Sequence, residues 1–177
     1  MPEWIVDLFA RYGYAVVFAG VFLENTGLPV PGETALLAGA ALKHPLVGIG
    51  TDSAARAEDG RLSESTSHPR AWGSFPRILG RYVRDEHLLT LEEAIRKMTS
   101  KAAARVHLSD RGVLRPGMAA DLTIFDPATI RDVATFEDPK HYSVGVKHVL
   151  VNGRRVVADG VITSERPGRP LRGIGSR

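Results

Sequence analysis

The run RGVLRPGMAADLTIFD, residues 111–126, constrains this chain more than any other stretch. Gly112 and the Pro116-Gly117 pair punctuate it as turns, because proline presets φ and glycine reaches positive φ at no steric cost. Leu122, Ile124 and Phe125 then make a short apolar run with β-favouring members, closed by Asp126-Pro127. Turn chemistry on both sides of such a run predicts a short strand. Farther on, Asn152-Gly153 separates Val146–Val151 from Arg154–Val157, which is the commonest type I′ hairpin signal. Val161–Thr163 offers a further strand beyond Gly160, and from Arg166 onward a Gly-, Pro- and Arg-rich tail is expected to be loosely ordered.

Upstream the periodicity is helical. Ile78, Leu79, Tyr82 and Val83 recur at helical spacing, with Arg77, Arg81 and Arg84 on another face. The segment from Leu91 to about Arg105 predicts a better helix. Thr90 and Glu93 have the spacing of a capping box. Glu92 with Arg96, and Glu93 with Lys97, are i,i+4 pairs in the favourable order, while Leu91, Ala94, Ile95, Met98 and Ala102 share an apolar stripe.

Composition excludes several function classes. There is no cysteine, so disulfides, thiolate metal sites and cysteine nucleophiles are ruled out. The net charge is a mild +3, and arginines crowd the tail, so the pI near 9.4 does not mark a nucleic-acid surface. Glu3 and Asp7 make the first residues acidic where a secretory signal would be basic, so cytoplasmic residence is the default expectation.

The first forty residues have a different character. Residues 14–23, YAVVFAGVFL, are apolar or small but span half the length a bilayer helix needs. Glu24-Asn25 and the Pro-Gly break 27–33 follow, then a second apolar run from Thr34 to Leu42. Two half-length segments around a polar break fit a re-entrant membrane hairpin or, equally, a buried helical hairpin. FLENTGLPVPGE, residues 22–33, resembles the N-terminal signature of the DedA family of bacterial membrane proteins. That resemblance implies that Glu24 and Glu33 lie in a re-entrant segment linked to transport and that residues 14–42 contact a membrane. The family continues into several spanning helices, whereas no later stretch here approaches spanning length, so transport is not expected.

From Val47 to about Arg172 the chain resembles the C-terminal part of the N-acyl-D-amino-acid deacylases, or D-aminoacylases, of the amidohydrolase superfamily. The motifs are GTD at 50–52, HPRAWGSFPR at 68–77, RKMTS at 96–100, GMAAD at 117–121 with FDP at 125–127, and VNG at 151–153. The resemblance implies an α/β fold, an incomplete fragment of a (β/α)₈ barrel plus a partial β-sandwich, preceded by the apolar helical hairpin. The expected division is 1–43 hairpin, 44–108 end of the barrel, and 109–177 partial sandwich with a basic tail.

Asp52 follows the short apolar run Leu46–Gly50, read as a buried strand end, where a barrel presents catalytic groups. By resemblance it ends the eighth barrel strand and serves as general base on a zinc-bound water, then as acid toward the leaving amine. From residue type alone, a turn- or helix-capping aspartate is the commoner role. Arg70 by resemblance holds the carboxylate of the N-acyl amino acid through paired hydrogen bonds, while a surface arginine after a proline turn stands as an even alternative. His68 is expected to be structural, and His44, His87, His107, His141 and His148 show no metal spacing.

The resemblance implies zinc, yet no His-x-His pair occurs in the chain. Asp52 could contribute a ligand, but one carboxylate does not hold zinc tightly. The expected function is therefore metal-dependent hydrolysis of N-acyl-D-amino acids by descent, with the 177-residue chain inactive as it stands. Two alternatives are a membrane-associated fragment with a soluble appendage, and a small β-rich interaction module whose unpaired strand edges would self-associate.

Overall fold

The computed structural model describes residues 11, 39–54, 56–58, 63 and 67–171. The chain divides into two compact units, Met1–Pro45 and Leu46–Arg177. In the first, residues 39–43 are helical. The rest of the expected hairpin, with Glu24 and Glu33, lies outside the described residues. Among the described residues no helix is long and apolar enough to cross a membrane.

The second unit opens with helix α1, Arg70–Arg77, which runs directly into a π-helical stretch, Ile78–Asp85. Pro69 provides no side-chain cap for α1. Instead His68 Nδ1 accepts the Arg70 N–H at 3.0 Å and satisfies one of the amides a helix start leaves unpaired. Pro76 lies inside the helix and has no N–H to give the carbonyl four residues back, that of Trp72. The Ser143 hydroxyl donates to that carbonyl at 3.0 Å instead. At the end of the wider coil the Glu86 N–H reaches back five residues to the Arg81 carbonyl, at 2.8 Å.

Helix α2, Leu91–Met98, forms half of the expected capping box: Thr90 Oγ1 accepts the Glu93 N–H at 3.2 Å, while the Glu93 carboxylate turns to Arg96. The expected pairing along α2 is altered. Arg96 binds Glu93 through two bonds of 2.6 and 2.7 Å, three residues apart, and not Glu92. Lys97 is fully buried rather than sitting on a solvated face. The helix predicted to run to Arg105 breaks at Thr99, whose φ of −122° and ψ of −89° are not helical, and α3 resumes at Ser100–Arg105. Thr99 Oγ1 bonds back to the Ile95 carbonyl at 2.7 Å, the side-chain competition that bends helices at threonine.

The strands form one antiparallel sheet, β1 (Leu122–Phe125), β2 (Val146–Val151), β3 (Arg154–Ala158) and β4 (Val161–Ile162), in sequence order. Both tight turns have positive φ at their two central residues, Asn152-Gly153 (48° and 78°) and Asp159-Gly160 (51° and 79°). That geometry suits the twist of the flanking strands. Arg111 ties the run that precedes β1 to this hairpin, because it pairs with both Asp110 and Asp121. Asp121 Oδ1 in turn accepts the Asn152 N–H at 2.8 Å.

Between β1 and β2 the chain returns across the helices. Arg131 and Val144 form an isolated antiparallel bridge, and Ile130 there is 2% exposed. Gly73 and Gly80, seven residues apart, lie against this segment. A Cβ on Gly73 would fall 2.5 Å from Asp132 Cβ, and one on Gly80 would fall 2.5 Å from the Ile130 carbonyl. Arg77 binds Asp132 at 2.7 Å and Arg84 donates to the Ile130 carbonyl at 2.7 Å, clamping the same contact. The apolar core consists of Trp72, Ile78, Leu79, Ala94, Ala103, Ile130 and Ala134 among the described residues.

The expected buried strand end at Leu46–Gly50 is not a strand. Residues 47–54 are irregular, and Leu46 is 82% exposed. A parallel barrel strand is stabilised by a hydrogen-bonded neighbour on each side. Among the described residues this segment has no strand partner and is held instead by helix α2.

Candidate functional site

Asp52 lies within the irregular segment, two residues after Gly50, and adopts φ of 46°, in the left-handed region that aspartate tolerates better than most side chains. Its carboxylate is 92% exposed, and it faces Arg70, at the start of α1, with 3.4 Å between Oδ2 and the guanidinium. The structure thus brings together the two residues singled out from sequence, 18 positions apart. At that length and exposure the pair is an ion pair in water and contributes little to stability. It is a contact that a competing carboxylate can replace at low cost.

The ground beneath Arg70 is firmer. His68, by accepting the Arg70 amide, fixes the first turn of α1, and its ring meets Phe136 edge-on with centroids 5.0 Å apart. Trp72 is buried, donates from Nε1 to Ser67 Oγ at 2.6 Å, and packs edge-on against Tyr142 at 5.4 Å. These contacts orient α1 by its buried face and leave Arg70 half exposed.

The Asp52 segment is held from the other side. Ile49 N–H reaches the Lys97 carbonyl at 3.5 Å, and Lys97 Nζ donates to the Val47 carbonyl at 2.9 Å. Nothing local in the sequence links Lys97 to this region, although its position three residues after Ala94 puts it on the buried stripe of α2. A lysine there is read first as a solvated partner of Glu93, to which Nζ indeed comes within 3.7 Å.

The histidines do not gather. His141 donates to Asp138 at 2.7 Å, His148 lies 3.7 Å from Asp159, and His87 and His107 occupy positive-φ turn positions. Asp138 raises the pKa of His141, chiefly through that hydrogen bond. Among the described residues no three His, Asp or Glu side chains come together in a way that could hold a metal. Asp52, exposed and facing a guanidinium, does not by itself fit a zinc ion. A separate open groove, lined by Arg154, Arg155, Ala158, Asp159, Thr163 and Glu165, includes neither Asp52 nor Arg70.

Over 113 residues the chain is 48% identical to the D-aminoacylase of Alcaligenes xylosoxydans xylosoxydans, covering 64% of this chain and 23% of that one. It superposes with a TM-score of 0.54 on the N-acyl-D-glutamate deacylase of Bordetella bronchiseptica, complexed with zinc and a phosphonate mimic of the tetrahedral intermediate. That match is 50% identical and covers 60% of this chain and 22% of the other. The chain thus spans under a quarter of the length of these relatives. A stretch of 40 residues, 23% of the chain, is also 50% identical to an uncharacterized membrane protein of Synechocystis, of which it covers 18%. Residues 13–157 match the amidohydrolase family. By that match, which takes in most of its length, the chain belongs to the amidohydrolase family.

Proposed function

We propose that this chain carries the C-terminal part of an N-acyl-D-amino-acid deacylase site, contributing an acid–base carboxylate and a substrate-holding guanidinium to a hydrolysis that it does not complete alone. The observation that carries the reading is the approach of Asp52 to Arg70 at 3.4 Å. One group suits proton transfer to and from the scissile amide, and the other suits a bidentate grip on the substrate carboxylate. The free pair is open to water and easily exchanged, as a substrate-binding arginine requires. The related deacylase contains zinc, whereas the residues described here do not assemble a zinc site. In this reading residues 44–108 correspond to the end of a barrel and 109–177 to part of a β-sandwich.

The test is a chimera in which residues 46–177 replace the matching segment of full-length D-aminoacylase. It should release amino acid from N-acyl-D-amino acids, and Asp52→Asn should lower kcat by about 10²–10⁴, the range for a general acid–base group. The free chain should release none, with or without added zinc. Turnover by the free chain, or an Asp52→Asn chimera of normal kcat and zinc content, would refute the reading.

A second reading concerns the N-terminal segment alone. It takes residues 14–42 as membrane-associated, with Glu24 and Glu33 as the functional carboxylates, and is proposed from the FLENTGLPVPGE motif at 22–33.

A further inference from the structure

We infer that Lys97 is a positioning residue: its buried ammonium anchors the Val47–Asp52 segment to helix α2 and so sets where the Asp52 carboxylate stands. The inference rests on the deacylase reading for its functional consequence, but its structural basis is independent. Lys97 is fully buried, which is rare for a lysine because a charged ammonium removed from water needs close compensation. An apolar side chain of the same length would fill the same volume without that penalty, and buried charges are often replaceable in this way with no loss of stability. What a methionine at 97 could not do is donate to the Val47 carbonyl, which Nζ reaches at 2.9 Å.

The Ile49 N–H to Lys97 carbonyl contact, at 3.5 Å, is long and leaves the ammonium as the shorter link between α2 and this segment. Gly48 and Gly50 have nothing within 4 Å of where a Cβ would stand, and among the described residues, 47–54 belong to no sheet. Two glycines in an unpaired stretch have a large conformational freedom to lose. The position of Asp52, three residues beyond Ile49, therefore depends on the tether. Glu93, 3.7 Å from Nζ on the preceding turn, offsets the ammonium charge from the α2 side, so the ammonium sits between a carboxylate of its own helix and the Val47 carbonyl.

Two measurements on Lys97→Met and Lys97→Arg test this. In the full chain, hydrogen exchange of the Ile49 amide should accelerate at least tenfold in Lys97→Met, with the α2 amides of Ile95 and Met98 unchanged, and should slow again in Lys97→Arg. In the D-aminoacylase chimera, Lys97→Met should lower kcat about tenfold while leaving KM within twofold, because the carboxylate is displaced while Arg70 still binds substrate. Unchanged exchange at Ile49 would overturn the tether. Equal acceleration throughout α2 would reduce Lys97 to a core residue of the helix and overturn it too. A chimera that is inactive with lysine at 97 would refute the deacylase reading, leaving the exchange result to decide the tether by itself.

Discussion

Among the described glycines, Gly145 is the one where a Cβ would meet three backbone atoms within 3.0 Å. It lies next to the Arg131–Val144 bridge with φ of +93°, and a Cβ added there would fall 2.5 Å from Ile130 Cα, 2.6 Å from Ile130 N and 2.9 Å from the Thr129 carbonyl carbon. All three are backbone atoms, so no side-chain rotation relieves the clash. Gly117 provides a matched control, with φ of +87° and nothing within 4 Å of its Cβ position. Gly117→Ala should cost only the left-handed penalty, roughly 1–2 kcal/mol. Gly145→Ala should carry that penalty plus overpacking, which adds about 1–3 kcal/mol. The difference corresponds to a melting temperature lower by roughly 2–12 °C for a chain of this size. Thermal melts of the two variants, with exchange of the Arg131 and Val144 amides as a local readout, measure it directly. Equal melting points would refute the packing of residues 129–130 against Gly145.

Two further predictions follow from other features. Asp138 raises the His141 pKa above 6.5, so the stabilisation from this pair is fully present below about 6.5 and is lost as pH rises through the folded value. An NMR titration should place the His141 midpoint above 6.5, and Asp138→Asn should bring it down; an unmoved midpoint removes the pair from the account. If the N-terminal segment binds membrane, the full chain should stay in the membrane pellet after a high-salt wash and a chain from Leu46 onward should not. Recovery of both in the supernatant sinks the second reading.

Local chemistry in the sequence determined much of the outcome. The Asn152-Gly153 turn, the strand at 122–125 and the Thr90 cap each follow from residues adjacent in the chain, and each is present where those residues imply it. Asp52 and Arg70 could also be singled out from sequence, through motifs shared with a family.

Tertiary structure alone decided the rest, because it depends on partners far away in the chain. Lys97 reads as a solvated partner of Glu93 until Val47, 50 residues earlier, supplies a carbonyl inside the fold. Leu46–Gly50 reads as a strand because it is apolar, but a strand is a property of a pair, and its described neighbour is a helix. Pro76 leaves the Trp72 carbonyl without its helical partner, and Ser143, far along the chain, takes that carbonyl over. Even the approach of Asp52 to Arg70 required both segments to be docked, one on α2 and the other on the Trp72 face.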